Sequence, residues 1–252
     1  NTVSTSISET AAGADAEYLD AAAGLKSTKG PLKSTRIVTG DVKASEQARK
    51  DLGRRIDVWN TYSCTDKPSF DCKSGGTPLS GATDTVAFDA QTGKAVEWKG
   101  ATHESDGETT KPFVFQGQYF KFPFHTQKVT YQFWDDTLAM ATDTKYVGEG
   151  TVKGMKVYKF EQTIAPIKTG TIDVPGDLVG SKAATVTADQ IYANVRSFSV
   201  EPTTGVIVVG GEAQDAYLEV DGVRKLTTTK ATLVYTDKNT AHTVDTYKSR
   251  SS

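Results

Sequence analysis

Apolar and polar positions alternate along most of the chain, and the elements this pattern predicts are strands. Arg55-Ile-Asp-Val-Trp-Asn-Thr-Tyr62 alternates and reads as a half-buried strand. Shorter strands are expected at Ala16–Asp20 and Ser34–Thr39. A hairpin rhythm follows. Asp84–Asp89 turns through Gly93 into Lys94–Trp98, and Glu149–Val152 turns at Lys153-Gly154 into Met155–Phe160. Ser197–Val200 turns through Gly205 into Val206–Val209, and Gln214–Val220 turns at Asp221-Gly222 into Val223–Leu226. Each turn carries a glycine able to take positive φ, flanked by β-branched or aromatic residues.

Helical periodicity is sparse. Ser45–Leu52 predicts one or two turns capped by Ser45 and ended by Gly53. Residues 237–252 predict a short C-terminal helix led by Asp237, running towards a membrane anchor beyond Ser252. Residues 1–13 are Ser/Thr-rich and read as a flexible N-terminal arm, leaving residues 14–236 as a single extracytoplasmic β domain. The polar stretch Ala101–Lys111 predicts a surface loop. Thr163–Ala184, apolar but broken by Pro166, Pro175 and three glycines, predicts a lid or covering loop. The fold class is all-β, mainly antiparallel hairpins. We expect an elongated β-barrel or barrel-like sandwich with one or two short helices, enclosing an apolar cavity.

The most concentrated feature is aromatic. Phe113, Phe115, Tyr119, Phe120, Phe122, Phe124, Tyr131, Phe133 and Trp134 lie within 22 residues. They read either as the core of two paired strands or as the wall of an apolar cavity. If the segment is extended, Phe113, Phe115 and Tyr119 share one face and Phe120, Phe122 and Phe124 the other, and both faces need cover. A lipid chain could supply one of those covers.

Composition narrows the chemistry. The 252 residues are 37% hydrophobic and 24% charged, ordinary for a globular domain. Lys plus Arg number 29 against 31 Asp plus Glu, a net charge of −2, with no basic cluster for a phosphate backbone. Nucleic acid is not an expected partner. Cys64 and Cys72 lie eight positions apart in a polar loop, and a local disulfide explains them better than a zinc or redox pair. That places the domain in an oxidising compartment. His103, His125 and His242 fall in separate segments without metal-site spacing. Nucleophile-elbow, dinucleotide and Walker motifs are missing, so the domain is expected to be non-catalytic and to need no cofactor. Asp135-Asp136 reads as a solvated turn, and Asp135 with Glu149 is the first pair to inspect for glycan hydrolysis. No apolar run approaches the roughly 18 residues of a membrane helix.

The run Phe120-Lys-Phe-Pro-Phe-His-Thr-Gln-Lys-Val-Thr-Tyr-Gln-Phe-Trp-Asp135 resembles the hallmark of an actinobacterial envelope family, labelled the porin PorA family or a domain of unknown function. Asp57-Val-Trp59, Phe88–Gly93, Tyr146–Glu149, Gly154–Phe160 and Val200–Ile207 resemble further family blocks, so the likeness covers Arg55 to Val209. The resemblance implies a transmembrane helix near each end, with a large domain between them on the periplasmic, extracytoplasmic side of the cell membrane. In mycobacteria and corynebacteria it implies an association with maturation of lipomannan towards lipoarabinomannan, and it supplies no catalytic residues. A membrane barrel would show apolar outward bands. The strands here carry Lys, Asp or Glu at those positions. Two partner classes follow: a lipid or lipoglycan precursor held against the aromatics, or membrane glycosyltransferases docked on a scaffold that binds no lipid.

Overall fold

The computed structural model describes residues 5–20, 23–105 and 107–248. Strands β1 (Thr5–Ala12), β2 (Glu17–Asp20), β3 (Lys26–Lys29) and β4 (Leu32–Gly40) precede helix α1 (Val42–Leu52). Strands β5 (Ile56–Asp66), β6 (Ser80–Asp89), β7 (Thr102–Ser105) and β8 (Glu108–Thr110) complete the first half. The second half holds β9 (Tyr131–Asp135), β10 (Met140–Val152), β11 (Met155–Pro175), β12 (Thr185–Val200), β13 (Ile207–Val220) and β14 (Val223–Tyr235). A 3₁₀ turn at Gly176–Val179 follows β11, and helix α2 (Asp237–Tyr247) follows β14.

Among the described residues these strands form one antiparallel sheet, ordered β8-β7-β6-β5-β4-β1-β14-β13-β12-β11-β10-β9, with β2 and β3 hanging from β14. The sheet curls into a barrel-like sandwich that no continuous ladder closes. Strands β6 and β9 are linked instead through single bridges: Phe88 to Ala95, Lys94 to Gln118, and Gln118 to Phe133. Gly117 makes this seam possible. It sits at φ 64°, and a Cβ there would overlap the Gln132 carbonyl oxygen. The β10–β11 and β13–β14 hairpins turn where the pattern predicts, with positive φ at Lys153, Gly154, Asp221 and Gly222.

Several segments differ from the sequence expectation. The supposed N-terminal arm is a strand from Thr5, paired with β4 at eight positions and with β14 at two. It is polar because the inner face it joins is polar. Helix α1 begins at Val42 rather than at Ser45, since the Asp41 carboxylate accepts from Ala44 N–H at 2.9 Å. Ser45 is buried instead, accepting from Val58 N–H at 2.8 Å. Helix α2 does start at Asp237, with Thr236 before it as the N-cap, its hydroxyl accepting from Asn239 N–H at 3.2 Å. Ala101–Lys111 is not simply a loop, for it holds the β7–β8 hairpin. Thr163–Ala184 is no lid: β11 runs on to Pro175, its register shifted at Ile164/Ile167 and Lys168/Gly170 around Pro166. Lys94–Trp98 makes bridges rather than a ladder. Cys64 and Cys72 are joined in a disulfide, their Cα atoms 5.9 Å apart.

The aromatic segment is not a pair of strands. Residues 113–124 follow an irregular path and only Tyr131–Asp135 is extended, so the proposed division into two faces does not hold. Phe115, Tyr119 and Trp134 pack with Val86 and Ala101, flanked by Phe113 and Phe120. Phe122 and Phe133 pack with Phe160, Phe198 and Val200, flanked by Tyr131. The segment thus fills the gap between β6 and β9 that no strand occupies.

Candidate functional site

The site is a cavity of about 230 Å³ between the inner faces of the two halves of the sheet. Its lining is mixed, polar side chains interleaved with Phe133, Phe198, Ile207 and Leu233, rather than the apolar cavity expected. Its walls repeat at period two along each strand, as side chains sharing one face of a sheet must. Ser8 and Thr10 of β1 face it, as do Ser34 and Arg36 of β4 and Ser63 and Thr65 of β5. Register aligns them, with Ser8 opposite Arg36 and Arg36 opposite Ser63. From the other side come Phe133 and Asp135 of β9, Glu212 and Gln214 of β13, and Leu233 and Tyr235 of β14. Gly210 also lines it, and a Cβ there would lie only 3.1 Å from the Tyr235 ring.

A hydrogen-bonded chain fixes one wall. The Tyr192 hydroxyl donates to Asp135 Oδ2 at 2.9 Å, and Asn194 Nδ2 donates to Tyr192 at 2.8 Å and to Glu212 Oε2 at 3.0 Å. The other Asp135 oxygen accepts from Leu138 N–H at 2.9 Å. Arg196 donates to the Trp134 carbonyl at 2.7 Å and to Gln162 Oε1 at 3.0 Å, and its guanidinium lies over Phe133 and Phe198. Across the cavity Arg36 lies over Tyr119 and Phe120 and donates to Thr61 at 3.2 Å. Behind it the Tyr119 hydroxyl donates to Asp84, whose other oxygen contacts His103 Nδ1 at 2.6 Å.

Enclosure shifts the acids. Burial raises the Asp135 carboxyl above its ordinary range, opposed by the Leu138 N–H. Asp136 accepts from Trp134 Nε1 at 2.5 Å, and its carboxyl is raised by enclosure and then by repulsion from Asp84. Asp136 is exposed at the cavity wall, yet the surrounding protein within reach of its carboxyl sets the direction. Burial also raises the Tyr192 and Tyr235 phenols, so both remain donors at neutral pH.

Of the nine aromatics proposed as a ligand wall, Phe133 lines this cavity. Phe115, Tyr119, Phe122 and Trp134 are buried in packed clusters, Phe113, Phe120 and Tyr131 are half-buried, and Phe124 is 46% exposed beneath the Lys121 ammonium. Asp135 is buried rather than solvated. Glu149 does not face it; that side chain lies outside, paired with Lys128 and Lys156. Arg36, Tyr192, Arg196, Glu212 and Tyr235 escaped the sequence reading. Their one signal is the polar i, i+2 repeat on several strands. Among the described residues no group of three or more His, Cys, Asp or Glu is placed to hold a metal ion, and no helix is long and apolar enough to cross a membrane.

Compared with known proteins, the chain matches a family described as Porin PorA over residues 1–252. A protein named Porin PorA from Corynebacterium amycolatum is 32% identical over 134 residues, covering 42% of this chain and 35% of that protein. Another of that name from Corynebacterium resistens is 30% identical over 95 residues, covering 36% of this chain and 23% of its own length. The chain therefore matches well under half the length of either relative.

Proposed function

The chain belongs to the Porin PorA family, a cell-envelope family, and from that premise we propose a non-catalytic domain that binds the polar part of an envelope lipid or glycolipid. In this reading the domain faces the periplasmic side of a membrane to which the whole protein is anchored. It presents its ligand to the membrane glycosyltransferases that mature lipomannan towards lipoarabinomannan. The observation that carries the reading is the cavity, with hydroxyls, guanidiniums and carboxylates on facing walls. It far exceeds the roughly 10–15 Å³ that one water needs, so it accommodates a polar group of several heavy atoms.

The relatives are named porins, and a pore is the obvious rival. Asp143 and Lys145 of β10, with Lys159 and Glu161 of β11, are exposed. Lys145 pairs with Glu161 on the outward face of the sheet. Helix α2 covers that face further along, with Val244 packed on Met155, Val157 and Val208. A lipid-facing wall would require an apolar band there. This favours a domain outside the hydrocarbon.

A scaffold is the second reading. Beyond Gln162 strand β11 loses β10 as a neighbour, and Ile167 and Ile172 are 47% and 42% exposed along that edge. Docking of a membrane enzyme there would need no internal ligand.

Organic extraction of the purified domain followed by lipid mass spectrometry separates the two. A near-stoichiometric glycolipid supports the binding reading. A protein that comes out empty, and also fails to take up phosphatidylinositol mannosides, leaves the scaffold.

A further inference from the structure

We infer that Arg36 and Arg196, which line the cavity from opposite halves of the sheet, form a two-guanidinium clamp for a singly charged oxyanion of the phosphodiester type. This rests on the binding reading above and names the group that the site holds.

Each guanidinium is only partly used. Arg36 donates from Nε alone, to Thr61 at 3.2 Å, and Arg196 from Nη1 alone, to the Trp134 carbonyl at 2.7 Å and to Gln162 at 3.0 Å. Those bonds, with the rings beneath each cation, hold both side chains in place. Both terminal nitrogens of Arg36, and Nε and Nη2 of Arg196, have no acceptor among the described residues, and none of them is sealed inside the wall. Asp136 lies within electrostatic reach of both cations, so they approach one region of the cavity, yet it closes an ion pair with neither. A guanidinium stays charged, and taking it partly out of water without a counter-ion is costly. The half-buried pair therefore asks for an anion.

The carboxylates limit how much charge that anion carries. Asp135 is spent on the Tyr192 hydroxyl and Leu138 N–H, whereas Asp136 and Glu212 each keep one oxygen uncommitted. A dianion meets their repulsion more strongly than a monoanion does, inside walls that screen poorly. Hydroxyls beside a monoanion can donate to those two oxygens. A phosphodiester also suits the geometry, with two charged oxygens, one for each guanidinium, and two ester arms. One arm has room to continue. A second cavity of about 280 Å³ shares Thr65, Glu212, Gln214 and Leu233 with the first, and adds Leu32 and Leu79 to its lining.

The test titrates glycerol, glycerol 3-phosphate, glycerophosphoglycerol and monomeric dihexanoyl phosphatidylglycerol into the folded ¹⁵N-labelled domain at neutral pH. The readouts are the Nε–H signals of Arg36 and Arg196 and the Trp134 indole N–H. The clamp predicts saturable shifts from glycerophosphoglycerol, binding of the largely dianionic monoester about tenfold more weakly, and no shift from glycerol. Arg36→Gln should weaken the diester by about tenfold or more; if that variant does not fold, the wild-type series decides alone. Tighter binding of the lipid than of glycerophosphoglycerol assigns the anion to a lipid head-group, and equal binding to a water-soluble diester. If glycerol or the monoester binds as tightly as the diester, the clamp is overturned while a ligand-binding cavity stands. If none of the four moves these signals but extraction of the domain still yields a bound lipid, the clamp alone falls. If extraction is empty as well, both fall.

Discussion

Tyr192 of β12 and Asp135 of β9, 57 positions apart, meet through a hydrogen bond of 2.9 Å at the cavity wall. Both are buried, and the same hydroxyl accepts from Asn194. Tyr192→Phe removes a donor from a buried carboxylate and an acceptor from a buried amide while keeping the ring's volume. We predict a loss of about 1–3 kcal/mol, the cost of stranding buried polar partners. Urea denaturation at pH 7 measures it, and an unchanged midpoint would show that water replaces the hydroxyl at no cost.

Asp136 gives a pH signature. Its folded carboxyl is raised above its ordinary value of 3.8 by enclosure and by Asp84, so the folded state binds more protons than the unfolded state just above that pH. Stability contributed by this group is present below pH 3.8 and falls as pH rises through the folded value. Asp136→Asn keeps an oxygen to accept from Trp134 Nε1 and removes the titration. The variant's melting temperature relative to wild type should therefore climb between pH 4 and pH 7. A difference that stays flat or declines over that range contradicts the assignment.

The sequence carried the hairpins at Lys153-Gly154 and Asp221-Gly222, the C-terminal helix and the Cys64–Cys72 pairing, because each is a local signal. The cavity was not legible for a physical reason. Its walls come from residues such as Ser8, Arg36, Ser63 and Tyr235, brought together by ladders between distant strands. A period of two is visible only when one face is apolar and the other polar. In β1 both faces are largely polar, so Ser8 and Thr10 looked like tether. The opposite error came from residues 113–124, where aromatic density looked like alternation although Gly117 and Pro123 break the chain into an irregular plug.

Phe122 and Phe124 separate core from surface within that plug. Phe122 is fully buried, its ring centroid 4.7 Å from that of Phe160 and 5.5 Å from that of Phe133. Phe122→Ala should cost about 3–5 kcal/mol through lost transfer energy and the cavity left behind. Phe124 contributes a surface contact with Lys121, whose ammonium lies 3.6 Å from the ring centroid. Phe124→Ala should cost no more than about 1 kcal/mol. Equal losses in chemical denaturation would mean that the exposed ring packs more than its surroundings show.

Gly117 tests whether the bridged seam holds the sandwich together. Its φ of 64° penalises any other residue by about 1–3 kcal/mol, and its missing Cβ makes room for the Gln132 carbonyl oxygen. Gly154, at φ 82° in the β10–β11 hairpin, has nothing within 4 Å of where a Cβ would stand. Gly154→Ala therefore reports backbone strain alone, and Gly117→Ala reports strain plus the close approach. We predict that Gly117→Ala is the more destabilising and that it selectively speeds hydrogen exchange at the amides of Gln118 and Trp134. Those amides donate to Gln132 O at 2.7 Å and to Gln118 O at 2.8 Å across the seam. If the two variants lose equal stability and the seam amides stay protected, the barrel is held by its ladders and the bridges only decorate its edge.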